Sequence, residues 1–410
     1  MQPSALRAGL SASWPRAGLS ASWPRASFSA SWLRASCSCP ACLGAGSGQR
    51  LASITDGPAD VRLGEVTEND ECFFVTFEPD GHRAVIAKSW LAQALAPALQ
   101  VTAGRHEDAK RLWVAADFPA GPAEFGWETY RTEAEHRAAC LDSLLTVGFA
   151  LLTGVPVEPG MVLEVAGSMG FVRETNYGRL FDVQAKVDPA NLAYTAMAIA
   201  PHTDNPYRDP VPTVQLLHCL ASAAEGGDSA LIDGFAAAGL LRAEDPAAFA
   251  MLTSTPVTFR YADATAELSA TMPMIGLDPR GRIREVRCNN RSLQPLTLTC
   301  GDDMLDPAEA DAFYRAYRTF AEILQRPELM LTFRLSPGDC IAFDNTRVLH
   351  ARTAFTSAGR RHLQGCYADL DGLASALAVL RRSEPDLDRS RPGLGRSRPG
   401  LGRSEPEARR

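Results

Sequence analysis

The sequence predicts a β-rich α+β fold, with many short strands and two or three long helices on the outside. Short apolar or alternating runs, bounded by Gly, Pro, Asn and Asp, recur through most of the chain, whereas helical periodicity is confined to a few stretches. The 410 residues, 46% of them hydrophobic, are enough to bury a substantial core. Such a pattern is typical of a distorted double-stranded β-helix, or jelly roll, although the spacing alone indicates only strands with flanking helices.

Both ends of the chain differ from this body. A nine-residue unit that begins at Arg7 recurs at Arg16 and, imperfectly, at Arg25. Its Arg- and Ser-rich, acid-free composition resembles an organelle transit peptide, but its Trp-Pro pairs interrupt a helix and favour a tandem duplication or a mis-assigned start codon. We expect residues 1–31 to be disordered, and also 383–410, whose Pro, Gly and Arg content cannot bury a core.

Composition excludes several classes of protein. The net charge of −7 and the absence of a basic cluster in the body argue against a nucleic-acid partner. No apolar run approaches the length of a membrane span. Several of the ten cysteines lie in apolar runs, where buried reduced thiols are expected, so we predict a reducing compartment, the cytoplasm.

Two folded domains are expected between these ends. In a small β domain at 32–122, strands are predicted at Cys72–Phe77 and Ala84–Ala87 around an Asp80-Gly81 turn. A larger domain at 123–382 follows a loop rich in Pro, Gly and Ala.

The larger domain carries the strongest helical patterns. A helix is predicted at Glu135–Val147, followed by a buried strand at Phe149–Leu152. A second helix opens at Asp306–Glu309, which has a capping-box spacing with proline at the first helical position. Its apolar face is expected to contain Phe313, Tyr317, Phe320 and Leu324.

His202, Asp204 and His350 form the most informative pattern. Two imidazoles and one carboxylate on a metal leave three coordination positions open, the arrangement of non-haem Fe(II) oxygenases. A His-x-Asp pair also arises by chance, and Asp204 alone fits a turn cap. Predicted strands at Thr213–Leu220 and Cys340–Phe343 strengthen the metal interpretation, because they put the three candidate ligands at strand ends.

Arg361 lies eleven residues after His350 in an alternating run, on the same face as Leu363, Gly365 and Tyr367. An inward arginine needs a carboxylate, and its planar fork suits a dicarboxylic acid. The expected co-substrate is therefore 2-oxoglutarate.

These residues resemble the gamma-butyrobetaine dioxygenase family of TauD-like Fe(II)/2-oxoglutarate oxygenases. The likeness lies in His202–Leu220, Gly226–Phe235, Phe343–His350 and Arg361–Asp369, and extends over Trp32–Leu380. The resemblance implies a jelly roll, commonly a homodimer, and Asn191 and Leu217 as 2-oxoglutarate contacts. Ascorbate is a further candidate, as reductant.

Cys37, Cys39 and Cys42 lie within six residues of one another, which suits tetrahedral zinc better than a disulfide. His82 is the nearest candidate for a fourth ligand, and it matches the place where the resembled family completes a zinc site. The alternative is a degenerate Ser- and Cys-rich repeat without metal.

The aromatic residues of the sequence indicate the chemical class of the substrate. Rings around one pocket attract a quaternary ammonium through their π faces, although most tyrosines and phenylalanines simply fill cores. The resemblance implies a cage of Tyr177, Tyr194 and Tyr367, with Phe181 where some relatives have Trp, and Asn205 where some have Tyr. Asn289 or Asn290 is the candidate for the substrate's anionic end.

These expectations describe an Fe(II)- and 2-oxoglutarate-dependent dioxygenase that hydroxylates gamma-butyrobetaine to L-carnitine. The alternatives with the same chemistry are hydroxylation of 2-(trimethylamino)ethylphosphonate and of trimethyllysine. An alternative of a different class is a zinc-stabilised binding protein without turnover. We expect a small-molecule substrate and no nucleic-acid or membrane partner.

Overall fold

The computed structural model describes residues 29–95, 110–184, 197–222, 225–296, 299–300, 303–304, 307–355 and 361–384. Asn191, Tyr194 and most of the two terminal segments expected to be disordered lie outside these residues. The chain divides into two compact units, Met1–Arg105 and His106–Arg410. This division precedes the expected boundary after residue 122, because Trp113 packs on Phe149 at 5.1 Å between ring centroids and so belongs to the second unit.

The described part of the first unit, residues 29–95, forms a three-stranded antiparallel sheet with two α-helices. The elements are α1 (Ala30–Ala35), β1 (Arg62–Glu68), β2 (Cys72–Glu78), β3 (Arg83–Ala87) and α2 (Lys88–Leu95). Both predicted strands and their turn are confirmed, and Gly81 takes a positive φ of 64° there, which glycine adopts without strain. One face of the sheet buries Phe73, Val75 and Phe77, as the period of two requires.

The second unit contains most of the strands. They are β4 (Glu124–Gly126), β5 (Phe149–Thr153), β6 (Phe181–Gln184), β7 (Ile199–His202), β8 (Val214–Ser222), β9 (Ser229–Asp233), β10 (Pro256–Ala262), β11 (Glu267–Pro273), β12 (Ile275–Leu277), β13 (Ile283–Val286), β14 (Thr299–Cys300), β15 (Asp303–Met304), β16 (Leu331–Phe333), β17 (Cys340–Asp344), β18 (Val348–Arg352) and β19 (Arg361–Ala368).

Its helices are α3 (Trp127–Thr132), α4 (Ala134–Thr146), α5 (Met161–Met169), α6 (Gly234–Glu244), α7 (Pro246–Ser254), α8 (Pro307–Leu324) and α9 (Leu370–Ser383). The predicted helices are confirmed as α4 and α8. Phe313, Phe320 and Leu324 of α8 are buried and Tyr317 packs beside them, as the apolar spacing indicates.

Two sheets form the framework of this unit. One has the strand order β16-β9-β18-β7, and the other β4-β5-β17-β8-β19-β6. Side chains from both, including Leu231, Val348, Ile341 and Leu363, share one hydrophobic cluster. The other face of the six-stranded sheet packs with α3, α4, α5 and α9. The fold is thus mixed α+β, with strands in the middle and helices outside.

Within the described residues, no helix combines the length and the apolar character needed to cross a bilayer.

Candidate active site

Two neighbouring strands bring the three predicted iron ligands together, although only His202 and Asp204 lie at a strand end as expected, because His350 is the middle residue of β18. His202 is the last residue of β7 and pairs directly with His350 of β18, and Asp204 follows after one residue. One ligand atom from each of the three residues can be chosen so that all lie within 4.8 Å of one another. The Nε2 atom of His202 lies 3.4 Å from Oδ1 of Asp204.

The electrostatics of this group suit metal ligation. Burial, together with the neighbouring His202, lowers the pKa of His350 to about 3, so its imidazole is neutral. Burial opposes ionisation of Asp204, but the hydrogen bond to His202 and the nearby His350 and Arg291 hold its pKa well below the usual range. Nδ1 of His350 is buried without a hydrogen-bond partner. Neutral imidazoles and an ionised carboxylate are the donor set that Fe(II) requires.

Asp204 is itself held by three side chains, of which the sequence identified only Tyr367, and that one as a cage ring. The Asn345 amide accepts from the Asp204 backbone N–H at 2.8 Å and donates to the Asp204 carbonyl at 2.9 Å. Gln215 Nε2 and the Tyr367 hydroxyl approach its Oδ2 at 2.8 and 3.0 Å. Burial and the charge of Asp204 raise the pKa of Tyr367 well above its usual value, so its hydroxyl is a donor.

A cavity of about 520 Å³ opens over the triad. Both sheets and β10 supply its wall, which includes Tyr177, Phe181, Tyr207, Leu217, Arg260, Tyr261, Asn289, Arg291, Arg352, Arg361 and Tyr367 beside His202, Asp204 and His350.

Two arginines occupy the part of the wall made by β18 and β19. Arg361 is 9% exposed, and no carboxylate of the described residues forms an ion pair with it. Burial lowers its pKa and that of Arg352, the latter to about 10 with further help from the charges of Arg361 and Arg291. Buried like charges need an anion, so this part of the cavity suits a dicarboxylate.

Aromatic rings line another part of the wall. Tyr177 lies 6.1 Å from Phe181, and Phe181 lies 5.2 Å from Tyr367, between ring centroids. Phe181 lies across Gly365, where an added Cβ would sit 2.4 Å from the ring, so the glycine makes room for it. Three of the four predicted cage rings therefore share one cavity.

The cavity wall contains two tyrosines that were not predicted. Tyr261 of β10 lies 5.7 Å from Tyr177 and 5.1 Å from Tyr207. Tyr207 also shares a 2.9 Å hydroxyl contact with Tyr177 and donates to Asn205 at 2.8 Å. No sequence pattern marks Tyr207 or Tyr261, because neither belongs to a periodic run that points at the triad.

The two candidates for the anionic end of the substrate are placed differently from expectation. Asn289 lines the cavity, but its amide donates to the Thr203 carbonyl at 3.0 Å and accepts from the Arg291 N–H at 3.1 Å. Asn290 is exposed and is not part of the cavity wall. The neighbouring Arg291 does line it, with its guanidinium 3.8 Å from Oδ1 of Asp204.

A second cluster lies in the first unit. Nε2 of His82 is 3.2, 3.7 and 3.7 Å from the sulfurs of Cys37, Cys39 and Cys42. Tetrahedral zinc with ordinary bond lengths separates a sulfur and a nitrogen ligand by about 3.6 Å, so the four residues fit the metal. Burial lowers the pKa of His82, which keeps the ring neutral.

An arginine supports this cluster. Arg34 donates to the sulfur of Cys42 at 3.5 Å and to Asp80 at 3.1 Å. Asp80 in turn accepts from the backbone N–H of His82 at 3.2 Å. A guanidinium beside a thiolate offsets its negative charge, and such outer contacts orient metal ligands.

The chain is similar to a known family and to several known proteins. The family described as taurine catabolism dioxygenase TauD, TfdA family matches residues 115–367. The chain is 37% identical to gamma-butyrobetaine dioxygenase of Pseudomonas sp. (strain AK-1), over 84% of this chain and 88% of that protein. It is 37% identical to the Homo sapiens gamma-butyrobetaine dioxygenase, over 60% of this chain and 64% of that protein.

A trimethyllysine dioxygenase of Meyerozyma guilliermondii is 28% identical over 86% of this chain and 90% of its own length. The family match covers more than half of the chain and contains all three residues of the triad. The chain is therefore a dioxygenase that belongs to the TauD, TfdA family and, within it, to the gamma-butyrobetaine dioxygenase family.

Proposed function

We propose that this chain is an Fe(II)- and 2-oxoglutarate-dependent dioxygenase that hydroxylates a small trimethylammonium zwitterion, with gamma-butyrobetaine giving L-carnitine as the first candidate. The observation that carries the proposal is the juxtaposition of the His202, Asp204 and His350 group with an aromatic wall in one cavity. The names of the relatives support the same substrate class.

His202, Asp204 and His350 hold the iron in this proposal. Bound there, Fe(II) supplies oxygen activation coupled to oxidation of 2-oxoglutarate to succinate and CO2. Arg361 binds a carboxylate of the co-substrate, because its buried guanidinium has no acidic neighbour among the described residues. Leu217 lines the same cavity, and Asn191 remains a predicted contact.

The aromatic wall recognises the ammonium group. Tyr177, Phe181 and Tyr367 line a cavity next to the triad, and the π face of such a ring is worth on the order of 0.5–2 kcal/mol to a desolvated cation. Tyr194 remains a predicted fourth ring. Tyr207 and Tyr261 extend the wall and supply aromatic surface beside Asn205. Since the face of a ring offers no conventional hydrogen-bond acceptor, the aromatic wall favours a methylated nitrogen over a primary amine.

Arg291 holds the anionic end of the substrate. The Asn289 amide is already hydrogen-bonded to backbone groups, whereas the Arg291 guanidinium reaches the cavity beside Asp204. Arg260 is adjacent, because its backbone N–H donates to Ser292 at 2.8 Å. The Arg260 side chain is 47% exposed and that of Arg291 only 20%, so Arg291, which lies beside the triad, is the principal anchor.

The presence of both Arg291 and Arg260 on this part of the cavity wall favours a second candidate, hydroxylation of 2-(trimethylamino)ethylphosphonate. A phosphonate has three acceptor oxygens and a higher negative charge than a carboxylate, and guanidinium groups suit such anions. Trimethyllysine is the third candidate. A binding protein without turnover is disfavoured by the complete triad and its supporting contacts.

A succinate assay tests the proposal and the choice of substrate. Apo-protein is supplied with Fe(II), ascorbate and 2-oxoglutarate, and then with each of the three candidates. Succinate release well above the rate without substrate, together with one hydroxylated product, is the expected result. The absence of stimulation by all three candidates would contradict the proposed function.

Arg291→Ala is expected to lower kcat/KM by roughly 10- to 100-fold, because a charge-assisted hydrogen bond contributes about 1.5–3 kcal/mol. The loss should be larger for the phosphonate than for the carboxylate. Arg318→Ala, which removes an arginine 81% exposed on α8, is the matched control and should behave as wild type. Equal kinetics for Arg291→Ala and wild type with both substrates would remove Arg291 from the site.

We also propose that Cys37, Cys39, Cys42 and His82 bind one structural zinc. A closed site of four ligands contributes folding free energy, so metal removal should lower the Tm of the first unit before it affects iron binding. Elemental analysis should find about one zinc per chain in wild type and much less in Cys39→Ser. Cys72→Ser, in the same unit but outside the cluster, should retain zinc. Equal zinc in both variants would argue against the assignment.

The architecture completes the proposal. The four- and six-stranded sheets, which share a hydrophobic cluster, correspond to the two halves of a distorted double-stranded β-helix with flanking helices. The first unit would then be a zinc-binding domain and the second the oxygenase domain. The homodimer and the cytoplasmic location stay predictions.

A further inference from the structure

The two carboxylate oxygens of Asp204 have different surroundings. Oδ1 is the oxygen nearest His202, at 3.4 Å from Nε2, and it is also the oxygen nearest Arg291. Oδ2 instead accepts two hydrogen bonds, from Gln215 Nε2 at 2.8 Å and from the Tyr367 hydroxyl at 3.0 Å. One oxygen therefore lies beside His202, while the other accepts hydrogen bonds from two donors.

The two donors are placed by sheet register. Gln215 of β8 and Tyr367 of β19 are direct cross-strand partners, so their side chains leave the sheet next to each other on the cavity face. Such partners have Cβ atoms about 4.5–5.5 Å apart, which lets both reach a single acceptor. The Gln215 amide must turn its NH2 group toward Asp204, because two oxygens in contact would repel each other.

We propose that Gln215 and Tyr367 are positioning residues that occupy Oδ2 of Asp204 and leave Oδ1 as the single carboxylate oxygen for the metal. The inference rests on the proposed function only in taking the triad as the iron site. Asn345 completes the arrangement, since it holds the backbone of Asp204 through its N–H and its carbonyl. A carboxylate that ligates through one oxygen leaves more coordination positions for small molecules than one that ligates through two.

Tyr367 then has two separable parts. Its ring belongs to the aromatic wall, with its centroid 5.2 Å from that of Phe181, whereas its hydroxyl donates a hydrogen bond to Asp204. Tyr367→Phe deletes only the hydroxyl and keeps the ring. Gln215→Met deletes the amide donor at similar volume. These two variants therefore change the contacts of Asp204 without opening the cavity.

The test measures metal binding without any substrate. Apo-protein is titrated with Co(II) and Mn(II), and the Co(II) absorption bands report the coordination sphere. Each single variant is expected to bind both ions roughly 10-fold or more weakly, within the 10- to 100-fold range typical of contacts behind metal ligands. The double variant should lose more and should change the Co(II) spectrum, because the carboxylate is then able to rotate and offer both oxygens.

Tyr130→Phe is the matched control. It also removes a hydroxyl from a fully buried tyrosine, but that hydroxyl contacts Ser168, outside the cavity. Circular dichroism confirms that each variant is folded. Wild-type affinity and an unchanged Co(II) spectrum in the double variant would overturn the proposal. If these variants weaken metal binding and yet no candidate substrate stimulates succinate release, the positioning role stands and the proposed function fails.

Discussion

His350→Ala, His202→Ala and Asp204→Ala are each expected to retain the fold and to lose both Fe(II) binding and succinate production. Contacts behind a metal ligand typically contribute 10- to 100-fold to affinity, so removal of a ligand itself should cost more than about 100-fold. The three residues have their ligand atoms within 4.8 Å, and no single one is sufficient to hold the ion. Circular dichroism, iron titration and the succinate assay are measured on the same preparations.

His136→Ala is the control for this series, because His136 lies on α4 and contacts Phe125, outside the cavity wall. It should bind iron and release succinate as wild type does. Turnover near the wild-type rate in any one of the three ligand variants would remove the triad from the mechanism.

Arg347→Met is expected to destabilise the second unit by about 3–5 kcal/mol. Arg347 and Asp233 are both fully buried and form two contacts, with Nη2 2.8 Å from Oδ2 and Nε 3.0 Å from Oδ1. Asp233 also accepts from the N–H groups of Trp113 and Phe235, at 3.1 and 3.0 Å. Loss of the guanidinium leaves a buried carboxylate without its counter-charge, which is the costly way to disrupt such a pair.

The measurement is thermal unfolding at fixed pH, where this loss corresponds to a fall in Tm of roughly 6–20 °C for a unit of this size. Arg318→Met removes an exposed partner of Glu322 and should shift Tm little. The double variant Arg347→Met with Asp233→Leu should recover part of the loss, because it no longer contains an unpaired buried charge. A Tm equal to wild type in Arg347→Met would show that the pair contributes nothing.

The Arg347–Asp233 pair also supports the strand that carries His350. Arg347 precedes β18 by one residue, and its pairing with Asp233 ties β18 to β9 just before His350. The sequence contains both residues in the runs that resemble the family, but neither their burial nor their pairing follows from spacing. Two residues more than one hundred positions apart become partners only through the register of the sheet.

Some features were predictable because they depend on local pattern. The helix at α8 follows from apolar residues at helical spacing after a proline, and the strands β2, β5, β8 and β17 follow from short apolar runs between turn residues. The identity of the candidate metal ligands was also predictable, since few residue types bind iron or zinc and their spacing was distinctive. These inferences require no knowledge of distant contacts.

Other features of the site were not predictable, because they depend on which polar groups already have hydrogen-bond partners. Asn289 was a candidate for the anionic end from the sequence, yet its amide is used by Thr203 and by the backbone of Arg291. Tyr367 was expected only as a cage ring, and its hydroxyl contact with Asp204 arises from the pairing of β19 with β8. Hydrogen-bond satisfaction is a property of neighbours in space, so a linear pattern does not reveal it.

The sequence by itself determined the chemistry of this protein: an iron-type triad, a cationic residue for a dicarboxylate, a zinc-type cluster and a supply of aromatic rings. These follow from residue type and order, because ligand chemistry is a property of each side chain. Only the tertiary structure decided which oxygen of Asp204 lies nearest His202, that Arg291 lines the cavity beside Asp204, and that Tyr207 and Tyr261 extend the aromatic wall. Strand register and burial set these relations, and both result from contacts between segments far apart in the chain.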